Sequence, residues 1–230
     1  MKKLLLSLML ISPLTFADGY IATYSIEVSD VQKFAGSFDK LMKSEWGTSF
    51  PGVVTLGHYA FNGYDDASHA VIISYDSESD MAKGTKLFYT PEFGAFLASV
   101  SDVTEPVEQA LNRKLISGGV DDANMNQVYT IYRMQVGDAG DYSEAWSDLI
   151  DAQVKAGNIE GNYGLRAHIA GQSNFYSHYA FTGSSSIESA VTGNKNLLSS
   201  KSFEKFAKKV SDSRRIVQTS MVVVLARYNY

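Results

Sequence analysis

Residues 20–28 alternate. Tyr20, Ala22, Tyr24, Ile26 and Val28 share one face and Thr23, Ser25 and Glu27 the other, which predicts a half-buried strand. The period then changes. Ser29-Asp30 opens a stretch in which Val31, Phe34, Ala35, Phe38, Leu41 and Met42 fall on one helical stripe, with Gln32 placed to complete a capping box with Ser29. Two strands are expected near 53–62 and 68–76, joined through Asn62-Gly63 and Asp65-Asp66. A helical stretch follows over 79–100, restarting at Thr90-Pro91-Glu92 with Thr as cap and Pro in the first turn. A strand near 107–116 ends the series. The order then recurs: a strand at 128–136, a helix from Asp141 carrying Tyr142, Ala145, Trp146, Leu149 and Ile150, strands near 162–170 and 175–183, a helical stretch at 187–210 and a strand at 216–228. Each half reads βαββαβ.

The recurrence extends to residue identity. Phe93, Phe96, Val100, Ser101 and Asp102 return 110 residues later as Phe203, Phe206, Val210, Ser211 and Asp212, and His58-x-Ala60 returns as His168-x-Ala170. Over residues 52–116 this offset gives 14 identities in 65, where chance composition gives about four. Tyr24-x-x-x-Val28-x-Asp30 returns at offset 108 as Tyr132-x-x-x-Val136-x-Asp138. The expected organisation is a first unit over residues 18–116, a linker over 117–127 beginning Ser117-Gly118-Gly119, and a second unit over 128–230.

This order in duplicate, with the segment Thr90-Pro91-Glu92-Phe93-Gly94-Ala95-Phe96-Leu97, resembles the dimeric α/β-barrel superfamily of ferredoxin-like proteins, including the antibiotic-biosynthesis-monooxygenase type. The resemblance implies an α+β fold in which two tandem ferredoxin-like βαββαβ repeats pack sheet to sheet as a pseudo-dimeric α/β barrel around a pocket. That class hosts monooxygenases, isomerases, haem enzymes and plain binding proteins, so the fold does not choose among them.

The first 17 residues stand apart. Lys2 and Lys3 precede a short apolar run from Leu4 to Leu14, and Thr15-Phe16-Ala17 fits a cleavage site. This predicts a signal peptide over 1–17 and a periplasmic or secreted bacterial protein, with no membrane attachment after cleavage. Removing two Lys and no acid leaves 18 basic against 25 acidic residues, net −7. An acidic chain is poorly suited to nucleic acid, whose phosphates call for a basic surface. There is no cysteine, which excludes disulfides, zinc–thiolate sites and thiol catalysis.

Phosphate loops, nucleophile elbows, dinucleotide fingerprints and His-Glu-x-x-His motifs are absent. The chemistry therefore rests on a few polar residues. The four histidines are His58, His69, His168 and His178. Their near-matching offsets place two on neighbouring strands in each half, where imidazole could contact a ligand or simply complete a strand's packing. The polar face of the first strand in each half carries Glu27 in one and Arg133 in the other. In a closed barrel that face lines the interior, so Glu27, Arg133, Arg166 and His168 are expected to converge in a polar pocket. Glu27, His58, Arg133, Arg166, His168 and His178 are thus the candidate ligand-binding residues. No metal set and no cofactor is expected. Trp46 and Trp146 are expected in the core.

Three functions fit these features. The first is an exported small-molecule-binding protein holding a small organic ligand between the two repeats, as a monomeric pseudo-dimer or weak homo-oligomer. The second is a cofactor-independent monooxygenase or isomerase of the same class, with haem binding a weaker variant. The third is a filled barrel with a structural or interaction role.

Overall fold

The computed structural model describes residues 19–171 and 175–230; the expected signal peptide at 1–17 lies outside them. The fold is mixed α+β. Strands β1 (Tyr20–Val28), β2 (Val53–Phe61), β3 (His69–Tyr75) and β4 (Thr104–Gly119) alternate with helices α1 (Val31–Lys43), α2 (Glu45–Thr48), α3 (Glu78–Leu87) and α4 (Pro91–Val100). Then come β5 (Val128–Val136), α5 (Ala139–Lys155), β6 (Asn162–Gly171), β7 (His178–Ser184), α6 (Ile187–Leu198), α7 (Lys201–Lys209) and β8 (Arg214–Tyr228). The helix after β1 starts one residue later than the capping box implies: Asp30 caps α1 by accepting from the Lys33 amide. Asp138 likewise caps α5 through the Asp141 amide.

All strand pairs are antiparallel, and the strands close into one barrel in the order β1-β3-β2-β8-β5-β7-β6-β4. Within the first half the order is β4-β1-β3-β2, within the second β8-β5-β7-β6. The two edges of each half pair with the edges of the other, β2 with β8 and β4 with β6. The length of β4 makes this possible. Its first part, from Thr104, lies against β1, and from Ala110 to Gly119 it also lies against β6. Ser117, Gly118 and Gly119, expected in a linker, therefore belong to the strand. Pro106, which has no N–H to donate, falls in the part of β4 that has one neighbour only.

Helices cover the outside. Phe34, Phe38, Leu41 and Met42 of α1, with Trp46 and Phe50, pack on Val54, Leu56, Ile73 and Tyr75 of the sheet. On the second half Tyr142, Ala145, Trp146, Leu149 and Ile150 of α5 and Phe206 of α7 pack on Met134, Leu165 and Ala180. Both tryptophans are core residues. Of the repeated apolar positions, Val100, Phe206 and Val210 are buried, whereas Phe93, Phe96 and Phe203 are half-buried at the edges of these layers. An eight-stranded barrel is just wide enough inside for its own side chains or one small ligand. Which of these applies depends on the inward residues.

Truncating Phe206 tests the packing of α7 on the barrel. Phe206→Ala should cost about 3–5 kcal/mol in urea denaturation, the range for a buried aromatic ring. A loss below about 1 kcal/mol would mean that this face of α7 does not pack as described.

Candidate functional site

Inside the barrel lies a cavity of about 530 Å³. Its wall includes Ile21 and Thr23 of β1, Thr55 and Tyr59 of β2, Ile131 and Arg133 of β5, Arg166 of β6, and Tyr179 and Phe181 of β7. Its rim is built from Asp76, Lys114, Asp121 and Tyr230. Asp76, Asp121 and Tyr230 are exposed, so the cavity opens at the end of the barrel where β1 begins and β4 ends. The inner end is floored by charged and polar groups.

The centre of the floor is Arg133. One of its terminal nitrogens lies 2.9 Å from Glu108 Oε2 in an ion pair buried on both sides. The same nitrogen donates to Gln218 Oε1 at 3.1 Å, and the guanidinium lies over the Tyr176 ring, 5.2 Å from its centre. Tyr176 meets the His168 ring edge-on at 5.0 Å between centroids, and its hydroxyl is 3.5 Å from Asn112 Oδ1. On the β1–β2 side the Tyr59 and Ser25 hydroxyls share a hydrogen bond of 3.1 Å. Burial raises the Tyr59, Tyr176 and Tyr179 phenols above their usual range, so all three are neutral near pH 7. Burial likewise holds the His168 imidazole below its ordinary value, partly offset by the Glu108 carboxylate.

Backbone irregularities aim these groups. The β1–β4 register shifts between Ser25 and Ile26, leaving Val107 as the extra residue, and the β5–β8 register shifts between Arg133 and Met134, leaving Val217. The residues beside the bulges are Ser25 opposite Glu108 and Arg133 opposite Gln218. Bulges re-aim neighbouring side chains and commonly border functional sites. The two sites are related by position but not by chemistry: Ser25 stands where the other half has Arg133, and Glu108 where it has Gln218. One charge of each sign therefore meets at the floor.

Several buried polar atoms there lack a hydrogen-bond partner among the described residues. They are both carboxylate oxygens of Glu108, Nδ2 of Asn112 and both ring nitrogens of His168. The ion pair with Arg133 is close in distance but does not have hydrogen-bond geometry at the Glu108 oxygens. Buried polar groups are normally satisfied, and this floor concentrates most of the exceptions.

The sequence-derived candidates separate accordingly. Arg133 and Arg166 line the cavity, and His168 lies in the floor behind Tyr176. Glu27 is not a cavity residue. It is exposed, one residue from the end of β1, where it pairs with Glu105 at the opposite end of the barrel from the mouth. Its alternation with Ser25 is right, but the strand runs out into water at that point, and Glu108 supplies the carboxylate instead. His58 is also outside: it is exposed, paired with His69. The hairpins match at offset 109, with Tyr59 bonded to Ser68 as His168 is to Ser177. That slip of one residue sends His58 to the outer face and His168 to the inner one. His178 is buried but belongs to the outward side of β7 with Ala180, and its Nδ1 is 3.0 Å from the Ser177 hydroxyl. Its counterpart His69 packs near Phe34 of α1, and burial lowers its pKa to about 4.

Residues missed from sequence include Glu108, Gln218, Asn112, Tyr59, Tyr176 and Lys114. The repeat carried a clue to two of them: Val107 and Val217 match at offset 110, and each is followed by a polar residue, Glu108 or Gln218, within an otherwise strand-like run. A second cavity of about 300 Å³ lies between the outer face of the second half and its helices, lined mainly by apolar residues such as Met134, Trp146, Leu149 and Phe203. Among the described residues no three His, Asp or Glu side chains converge to hold a metal ion, and no helix is long and apolar enough to cross a membrane.

The floor pair has a measurable signature. Removing one partner of a buried ion pair strands the other charge and costs about 3–5 kcal/mol, whereas replacing both with apolar groups can be nearly neutral. Glu108→Leu should therefore lower stability by about that amount in urea titrations, and adding Arg133→Met should restore much of the loss. A loss below about 1 kcal/mol for Glu108→Leu would show that Arg133 does not depend on this carboxylate.

No family model matches the chain, and no curated protein does. Its structure is similar to several solved ones. A protein assigned as a monooxygenase from Fusobacterium nucleatum has a TM-score of 0.61 at 16% identity, covering 93% of this chain and 95% of that one. A variant of the chlorite dismutase from Candidatus Nitrospira defluvii has 0.54 at 10% identity, covering 93% and 94%. A haem-binding protein from Thermus thermophilus has 0.54 at 6% identity, covering 91% and 92%. At these identities the likeness is one of fold: the chain has the architecture of the dimeric α/β-barrel proteins.

Proposed function

We propose that this chain is an exported small-molecule-binding protein, made of two tandem ferredoxin-like units that arose by duplication, whose ligand sits in the barrel lumen. The observation that carries the reading is the cavity itself: about 530 Å³ of space, open at one end, above a floor of buried Arg133 and Glu108 and half-buried Gln218. A barrel with a purely structural role has no need for buried charges, which are costly unless paired or used. The polar Lys2-Lys3 start, apolar run and Thr15-Phe16-Ala17 motif support export.

A second reading, a cofactor-independent monooxygenase or isomerase, is favoured by one specific feature. Both ring nitrogens of His168 lack a hydrogen-bond partner among the described residues, and the Glu108 carboxylate is paired with Arg133 without hydrogen-bond geometry; such groups can accept or return a proton. An imidazole-ligated haem does not fit the residues present: His168 stands behind the Tyr176 ring and is not on the cavity surface, and His58, His69 and His178 lie on the outward sides of their strands.

Native mass spectrometry of the protein purified from its own host tests the reading. The expected result is a chain beginning at Asp18 with one small molecule bound, and loss of that molecule in Ile131→Trp, which places an indole in the lumen. A chain that retains residues 1–17 would contradict export. A bound molecule that survives Ile131→Trp would contradict the lumen as its site.

A further inference from the structure

The cavity wall holds more cationic charge than the floor pair uses. Lys114 on β4 and Arg166 on β6 are direct cross-strand partners, and both line the lumen. Like charges placed opposite each other on one face repel. Neither has a buried carboxylate partner among the described residues. Among the described residues Lys114 pairs with Asp76, at 3.4 Å, and that carboxylate is 95% exposed while the lysine side chain is 11% exposed.

Arg166 has no carboxylate partner among the described residues. It is 4% exposed, and one terminal nitrogen, Nη1, donates to the backbone carbonyls of Ile116 and Leu165. Its Nε has no acceptor among the described residues, and its Nη2 donates no hydrogen bond to them. The Nε is sealed from the lumen, so the terminal Nη2 is the donor with which this arginine can take a carboxylate, sulfonate or phosphate through a charge-assisted hydrogen bond. The guanidinium is seated by design of the strand. It lies 5.0 Å from the centre of the Phe181 ring, and a Cβ on Gly164 would come within about 2.5 Å of its Nη1. Only glycine leaves room for the side chain to fold back along β6 in this way.

Arg227, also on the wall, donates to the Asn126 carbonyl at 2.6 Å and the Tyr129 hydroxyl at 2.8 Å, again without a carboxylate among the described residues. The acids on the wall are Asp76 and Asp121, both exposed at the rim. A chain of net charge −5 thus encloses a positive interior. Low-dielectric walls lined by one sign of charge concentrate counter-ions of the other sign. Beside aliphatic and small polar residues such as Ile21, Thr23, Thr55 and Ile131, the wall carries the aromatic rings of Tyr129, Tyr163, Tyr179 and Phe181.

We infer that the lumen binds an aromatic organic anion of up to three rings, its acidic group held between Lys114 and Arg166 and its rings against Tyr129, Tyr179 and Phe181. The inference rests on the lumen being the ligand site and adds the chemical class of the ligand.

The test uses two fluorescent probes that share a skeleton, 1-anilinonaphthalene-8-sulfonate and the uncharged N-phenyl-1-naphthylamine. They are titrated into the full-length protein and into Arg166→Gln, Lys114→Gln and Ile131→Trp, each checked for folding by circular dichroism. The sulfonate should bind once per chain and at least tenfold more tightly than the neutral probe. Arg166→Gln and Lys114→Gln should each weaken the sulfonate about tenfold while leaving the neutral probe unchanged, and Ile131→Trp should remove both. If Arg166→Gln fails to fold, Lys114→Gln alone decides. Sulfonate binding that Ile131→Trp abolishes but the charge variants leave untouched would overturn the anion inference and spare the lumen site. Absence of binding, or binding indifferent to Ile131→Trp, would overturn the lumen site itself.

Discussion

A four-stranded ferredoxin-like sheet has two open edges, and unpaired strand edges invite association with other chains. Here each edge is taken up by the other half of the same chain, β2 by β8 and β4 by β6. The 16 residues of β4 and 15 of β8, against seven each for β3 and β7, supply the extra length that this closure needs. Closure removes all edges from the barrel. It also cuts the inward side of every strand off from bulk water, which gives the polar residues of that side their energetic weight.

On an open sheet Arg133, Arg166 and Glu108 would be ordinary solvated side chains. In the lumen each must be matched. Glu108 and Gln218 match Arg133 at the floor, and backbone carbonyls hold one end of Arg166. The two halves share backbone positions but not side chains: Ser25 answers Arg133, Tyr59 answers His168, and Val222 answers Asn112 across the same pairings. A barrel built from equivalent frames therefore has one polar floor rather than two. The apolar outer layers around α1 and α5 remain alike, each anchored by a buried tryptophan, Trp46 or Trp146.

The element order was legible because strands and helices here keep clean periods. Residues 20–28 and 128–136 coincide with β1 and β5, and the stripes of Phe34, Phe38, Leu41 and Met42 and of Tyr142, Trp146 and Leu149 are the buried helix faces. Of the site, Arg133 and Arg166 were legible by alternation within strands. What alternation could not see were the bulges. Val107 and Val217 each insert one residue and shift the parity that places Glu108 and Gln218 inward. The one-residue hairpin slip separates His58 from His168 in the same way. Strand ends were a second blind spot, since period-2 reasoning has no way of knowing that Glu27 lies where the barrel meets water. Tyr176 comes from the connection between β6 and β7, where no periodicity operates.

The central claim is that closure leaves a ligand-sized space above a buried ion pair. A high-resolution crystal structure of the protein from its own host tests this most directly. The account predicts an open lumen bounded by Tyr59, Tyr179 and Phe181, the Arg133 guanidinium within hydrogen-bonding distance of Glu108, and density for an anionic group beside Arg166 and Lys114. A lumen closed by these aromatic rings, with Arg133 turned away from Glu108, would contradict it.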